Sequence, residues 1–201
     1  MVSQKSDQKD DLLSRVITQI RDRQKGPDAE DLENFTRLYY QQVRAEDIAG
    51  RSVEALYGAA FSLWKFARHR PAGTPTVRLY NPRVEEYGWK SPHTIVEIVN
   101  DDMPFLVDSV TMELTRHGHT VHQIVHPVAK VLRDPEGGLL GLTGKSGKKG
   151  AAETTGTQIR ESLMHLEIDE QSAPEVLDTI RGQIMRVLVD VRVAVQDWRR
   201  M

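Results

Sequence analysis

At Thr76 the hydrophobic period of the chain changes from helical to extended, and that change governs what can fold on either side of it. Upstream, Leu12, Leu13, Val16, Ile17 and Ile20 form one apolar stripe at helical spacing, ended by Gly26-Pro27. Asp28, with Asp31 three positions on, is expected to open a second helix through Leu32, Phe35, Leu38, Tyr39 and Val43. Behind Ser52, the residues Val53, Leu56, Tyr57, Ala60, Phe61 and Trp64 recur at three- and four-residue steps and predict a third.

Downstream, TVRLY (76–80) lies between Pro75 and the turn-prone Asn81-Pro82 and reads as a strand, as does the β-branched run TIVEIVN (94–100). Asp102 is the expected N-cap, with Pro104 in the first turn, of a helix buried through Val107, Val110 and Leu114 and ended by Gly118. VHQIVHPVAKVLR (121–133) predicts a long strand kinked at Pro127, which requires an edge or a bulge. In ESLMHLEID (161–169), Met164, Leu166 and Ile168 alternate with Leu163, His165 and Glu167, giving a strand with one apolar and one mostly polar face. Ser172-Ala-Pro-Glu175 is a capping box for a helix running to about Trp198, close to ~40 Å long. The stretch 137–158, rich in glycine, lysine and threonine, is expected to be a flexible loop.

The order strand, strand, helix, strand, strand, helix predicts an α+β fold, an antiparallel sheet with two helices on one face. A ferredoxin-like βαββαβ unit closes with a fourth strand beside the first. TVRLY is expected to take that edge as the antiparallel partner of TIVEIVN, making the sheet a permuted one. The expected organisation is an N-terminal helical segment over 1–72 and an α+β domain over 73–201.

Composition narrows the function classes. With 39% hydrophobic and 28% charged residues, the 201-residue chain has the balance of a folded globular protein. It contains no cysteine, which excludes disulfides, thiolate catalysis and cysteine-ligated metals. A formal net charge of -2 with interspersed signs offers no basic field, so neither nucleic acid nor membrane is an expected partner. The opening MVSQKSDQKDDLLSRV has no apolar signal core, and no run approaches the ~20 apolar residues of a membrane span, so a cytoplasmic location is expected.

The segment VNDDMPFLVDSVTMELTRHGHTVHQIVHPV (99–128) resembles the N-terminal region of the large bacterial NAD-specific glutamate dehydrogenases. VRLYNP and GW upstream, and ESLMHLEID and RVLVDVRVAVQDW downstream, occur in the same order, so the resemblance covers most of the chain after about Tyr40. It implies an ACT-like, ferredoxin-like module of a kind that binds amino acids or joins subunits, with catalysis far along a longer polypeptide. The implied whole enzyme is a homo-oligomer that oxidatively deaminates L-glutamate with NAD to 2-oxoglutarate and ammonia. This chain is then expected to be a non-catalytic regulatory and assembly region, inactive by itself and without a cofactor of its own. Its expected partners are the remaining domains of the same polypeptide, further copies and an amino-acid effector. No GxGxxG fingerprint follows a strand, and no catalytic residue is carried over. The alternative is a free-standing amino-acid-binding sensor.

In the resemblance, Asn100, Asp101, Asp102, Met103, Pro104, Phe105 and Ser109 are the candidate effector residues, where a strand end feeds a helix N-terminus able to hold a carboxylate. The competing reading is capping and core packing. Phe105 stands where ordinary ACT modules carry glycine, its ring could fill the ligand space, and Asp101 and Asp102 oppose an anion. Asp108 is expected to complement the helix dipole.

His117, His119, His122, His126 and His165 cluster in sequence or on neighbouring strands, but no carboxylate stands at a ligand spacing, so no metal site is assigned. They are expected to bond within the sheet or face a partner, and no serine or lysine stands beside them as an evident nucleophile. Gly144-Lys-Ser146 lacks the leading glycine of a phosphate-binding loop, because Leu139 occupies that position, and Lys145, Lys148 and Lys149 read as solvated charges. On the last helix, Leu177, Ile180, Ile184, Val187, Val191, Ala194 and Trp198 follow a heptad seam that Leu188, Val189, Val193 and Val195 widen. Val189 and Val193, off the seam, are the candidate assembly residues.

Overall fold

The computed structural model describes residues 2–143 and 156–198 of the chain. The Gly144-Lys-Ser146 segment, Lys148 and Lys149 lie outside the described residues. The chain opens with α1 (Val2–Arg23), α2 (Pro27–Tyr40), the single turn α3 (Ala45–Ile48) and α4 (Val53–Phe66). Then follow β1 (Thr76–Tyr80), the short α5 (Val84–Tyr87), β2 (Thr94–Asp101), α6 (Leu106–Arg116), β3 (Val121–Val125), β4 (Val128–Arg133), β5 (Leu139–Leu142), β6 (Thr157–Ile168) and α7 (Pro174–Trp198).

Helix ends follow local chemistry, with two departures from the sequence reading. The helix expected behind Ser52 forms as α4, and Ser52 caps it, its Oγ accepting the Ala55 N–H at 3.1 Å. Gly26-Pro27 opens α2 instead of ending α1. Gly26 is the N-cap at φ 77, and Pro27 sits in the first turn, where a missing N–H is harmless. The N-cap of α6 is Phe105 rather than Asp102, because the Asp102 carboxylate pairs with Arg160 at 2.8 Å. Gly118 does end α6, at φ 83, with its N–H on the Thr115 carbonyl.

The sheet is antiparallel, in the order β1-β2-β6-β4-β5, with β3 also paired to β6. TVRLY takes the expected edge, in register from Thr76 opposite Val99 to Tyr80 opposite Ile95. Pro127 splits the long predicted strand in two. Segment β3 pairs with the second half of β6 and β4 with the first half, and the Leu163 N–H reaches the Pro127 carbonyl across the break. Part of the expected loop is ordered: β5 pairs with β4 through Val131 and Leu142, and β6 begins at Thr157.

Both faces of the sheet are covered. Val96, Ile98, Met164, Leu166 and Ile168 join Leu106 and Val110 of α6 and Ile184 and Leu188 of α7 in one core. Ile95, Val99 and Leu163 point the other way and join Phe35, Leu56 and Leu63 of the N-terminal helices. The face of β6 read as mostly polar is therefore not solvated, and His165 and Glu167 are each 1% exposed beneath those helices. The architecture is α+β and ACT-like, a permuted ferredoxin-like sheet with a helical layer added on its second face.

Candidate functional site

Three layers meet at the end of β2. Asn100 continues the Val96–Ile98 side of the strand, facing α6 and α7, and is wholly buried. Arg192 of α7 donates to Asn100 Oδ1 at 2.9 Å and to Asp101 Oδ2 at 2.7 Å. From beneath, Arg70 donates to Asp101 Oδ1 at 2.6 Å and to Glu161 Oε1 at 2.8 Å. Arg133 grips both oxygens of Glu161, at 2.6 and 2.7 Å. The remaining donors of this knot are used on carbonyls: Arg70 on Thr74, and Arg133 on Gly137 and Ala67. Partial burial pushes the Asp101 carboxyl up, but Arg192 and Arg70 outweigh it and hold the group below the usual aspartate range.

Asp101 and Asp102 thus do not oppose an anion as bare charges. Four guanidinium groups, from Arg70, Arg133, Arg160 and Arg192, meet three carboxylates, from Asp101, Asp102 and Glu161, leaving the knot cationic. Asn100 Nδ2 is buried and has no hydrogen-bond partner among the described residues. Phe105 adopts φ 70 with no side-chain cap, and at 59% exposure its ring faces solvent instead of filling a ligand space. Met103 packs partly against the α6–α7 core, Pro104 is exposed, and the Ser109 N–H closes the first turn on the Phe105 carbonyl. These residues border the start of α6, where no side chain caps the helix and where Arg192 and the unpartnered Asn100 Nδ2 lie at the adjoining strand end.

A second polar group, on the mostly polar face of β6, lies under the N-terminal helices. Arg51 forks onto Glu167 at 2.6 and 3.0 Å, and His93 Nδ1 lies 3.0 Å from the same carboxylate. Arg78 and Tyr80 bond Glu97, and Tyr80 in turn meets Ser62. His165 stands opposite Glu97 in register, with Nδ1 4.0 Å from Glu97 and Nε2 3.7 Å from Glu167, and neither nitrogen has a hydrogen bond. Tyr39 and Trp89 close over its ring. This row fastens the helical layer to the sheet.

The other histidines disperse. His117 meets Glu113 and Gln183, His122 meets Asp169 and stacks on His93 at 4.3 Å, and His119 lies in the turn after α6. Among the described residues no three metal-ligating side chains form a metal cluster. One serine lies against a histidine, with Ser162 Oγ 2.6 Å from His126 Nε2. Ser162 is wholly buried, so its hydroxyl is packed within the sheet, while His126 is partly exposed. On α7 the buried seam is Ile180, Ile184, Leu188, Val191 and Val195; Ala194 and Trp198, expected on it, are exposed. Val189 and Val193 face outward at 48% and 51% exposure.

Comparison with known proteins gives the ancestry. The profile of the glutamate dehydrogenase ACT1 domain matches residues 35–184. The NAD-specific glutamate dehydrogenase of Halomonas elongata is 39% identical over 191 residues, which is 95% of this chain and 12% of that protein. The protein of the same name from Pseudomonas aeruginosa is 36% identical over 167 residues, 83% of this chain and 10% of that one. The chain thus spans about an eighth or less of the relatives it matches. No solved structure gives a significant match. With the profile covering most of its length and the predicted ACT-like sheet in place, the chain belongs to the glutamate dehydrogenase ACT1 family.

Proposed function

We propose that this chain is the non-catalytic regulatory and assembly region of an NAD-specific glutamate dehydrogenase, whose whole form deaminates L-glutamate oxidatively to 2-oxoglutarate and ammonia. The observation that carries the reading is the β2–α6 junction, where the uncapped start of α6, the Arg192 guanidinium and the unspent Asn100 amide offer donors to a carboxylate. An amino-acid effector would present its carboxylate there, with Asn100, Asp101, Asp102, Met103, Pro104, Phe105 and Ser109 around it. The outward valines of α7, Val189 and Val193, would meet another copy or the rest of the polypeptide.

NAD belongs, in this reading, to the remainder of the enzyme. The buried carboxylates Glu161 and Glu167 and the half-buried Asp101 are held in ion pairs between layers, an arrangement suited to transmitting position. The test compares the isolated chain, the full-length dehydrogenase and a version lacking this region. The isolated chain is expected to form no NADH from L-glutamate, and the deletion to change the number of subunits per assembly, read from light scattering. Turnover by the isolated chain, or an unaltered assembly with unaltered amino-acid response after deletion, would overturn the proposal.

A further inference from the structure

We propose that the Arg192–Asp101 contact is a releasable clasp, through which a carboxylate bound at the β2–α6 junction loosens the C-terminal third of α7. The inference rests on the effector reading above and adds the route by which occupancy reaches the outer face of that helix.

Accessibility separates this pair from its neighbours. Arg70, Arg133 and Glu161 are at most 2% exposed and are fixed by their own carbonyl and carboxylate partners. Arg192 and Asp101 keep 19% and 26% of their side-chain surface, so a solute can reach them. An exchange of partners there strands no buried charge. When Arg192 turns to an incoming carboxylate, Asp101 keeps Arg70 and no ion is orphaned, although the buried Asn100 Oδ1 gives up its Arg192 donor, a neutral group's smaller cost.

The consequence for α7 follows from how its two ends are held. Ile180, Ile184 and Leu188 anchor the first part of the seam, whereas beyond Leu188 only the smaller Val191 and Val195 are buried. Among the described residues the polar tie of that end to the sheet is Arg192, and the residues beside it, Val189 and Val193, form the outward apolar face. Releasing Arg192 therefore frees the stretch that carries the proposed assembly surface.

Amide hydrogen exchange of this chain tests the clasp, using Asp101→Asn and Arg192→Gln, each checked for an intact cooperative melt. Both variants are expected to exchange roughly tenfold faster over 189–198, the loss of one charge-assisted contact, while 177–184 stays unchanged. Wild-type exchange in both variants would overturn the clasp. L-glutamate is the probe for coupling, expected to protect the amides of 106–109 and to speed exchange over 189–198. Protection of 106–109 with 189–198 unmoved would overturn the clasp and leave the effector reading standing. No protection of 106–109 would sink the effector reading and the release with it, leaving Arg192–Asp101 as a static tie where the variants loosen α7.

Discussion

Trp89 lies so close to Gly58 of α4 that a Cβ on residue 58 would stand 2.2 Å from the indole Cγ. The glycine is a slot in a buried helix, and the indole, 3% exposed, fills it. Trp89 also closes over His165, so this contact helps seat the helical layer on the sheet. Gly58→Ala would gain about 1 kcal/mol of helix propensity in an open helix. Here overlap decides the sign, because neither the helix backbone nor the packed ring can yield cheaply. The substitution is expected to lower stability by about 1–3 kcal/mol in urea unfolding. A variant as stable as the wild type would show that the ring has room to move.

The pH dependence of stability is set partly by Glu167. Burial pushes its carboxyl up, but His165 and Arg51 outweigh burial and hold it well below the ordinary glutamate range. A carboxyl depressed on folding stabilises the fold fully above its unfolded value, about 4.3, and loses that contribution as the pH falls toward the folded value. Other depressed carboxyls, including Asp101 and Asp169, give the wild type the same direction. Glu167→Gln isolates one of them. It is expected to cost about 2 kcal/mol at pH 7, the loss of a charge-assisted pair, and the gap to wild type should narrow below about pH 4. A gap that stays constant from pH 7 to pH 3 would contradict the assignment.

What was legible in the sequence divides by range. Local signals carried the helix behind Ser52, the Gly118 stop, the reach of α7 to Trp198 and a kink at Pro127, which the structure turns into a full break, because each depends on residues within one turn or one bend. The edge position of TVRLY was also legible, since a topological gap and a short connection leave it few partners. Non-local facts were hidden. LLGL at β5 is short and glycine-containing, and becomes a strand only because β4 offers it an edge. The row Glu97, His165 and Glu167 looks solvated in one dimension, and only the helices above it, bringing Arg51, make it a buried network. At the candidate site the sequence reading found the junction but not Arg192, which reaches Asn100 from 92 residues away. Its visible signal was an arginine near the C-terminal end of an otherwise apolar helix face.

The outer face of α7 gives the last test. Val189 and Val193 are one helical turn apart and about half exposed, while the side chains that hold the helix to the sheet, from Ile180 to Val195, lie on another face. Half-exposed valines in a helix contribute little packing there and carry a small propensity penalty, so their change to glutamate should leave the fold within about 0.5 kcal/mol of wild type. An assembly contact through the same face would instead bury two unpaired carboxylates, a cost too large for a modest interface to absorb. The double variant Val189→Glu, Val193→Glu is therefore expected to keep its melting temperature and lose self-association in light scattering. Arg192 lies between the two positions, and a new glutamate at 189 or 193 could draw it from Asp101, so hydrogen exchange over 189–198 must accompany the measurement. Lost association with wild-type exchange assigns the face to assembly; retained association by a folded double variant removes α7 from the contact.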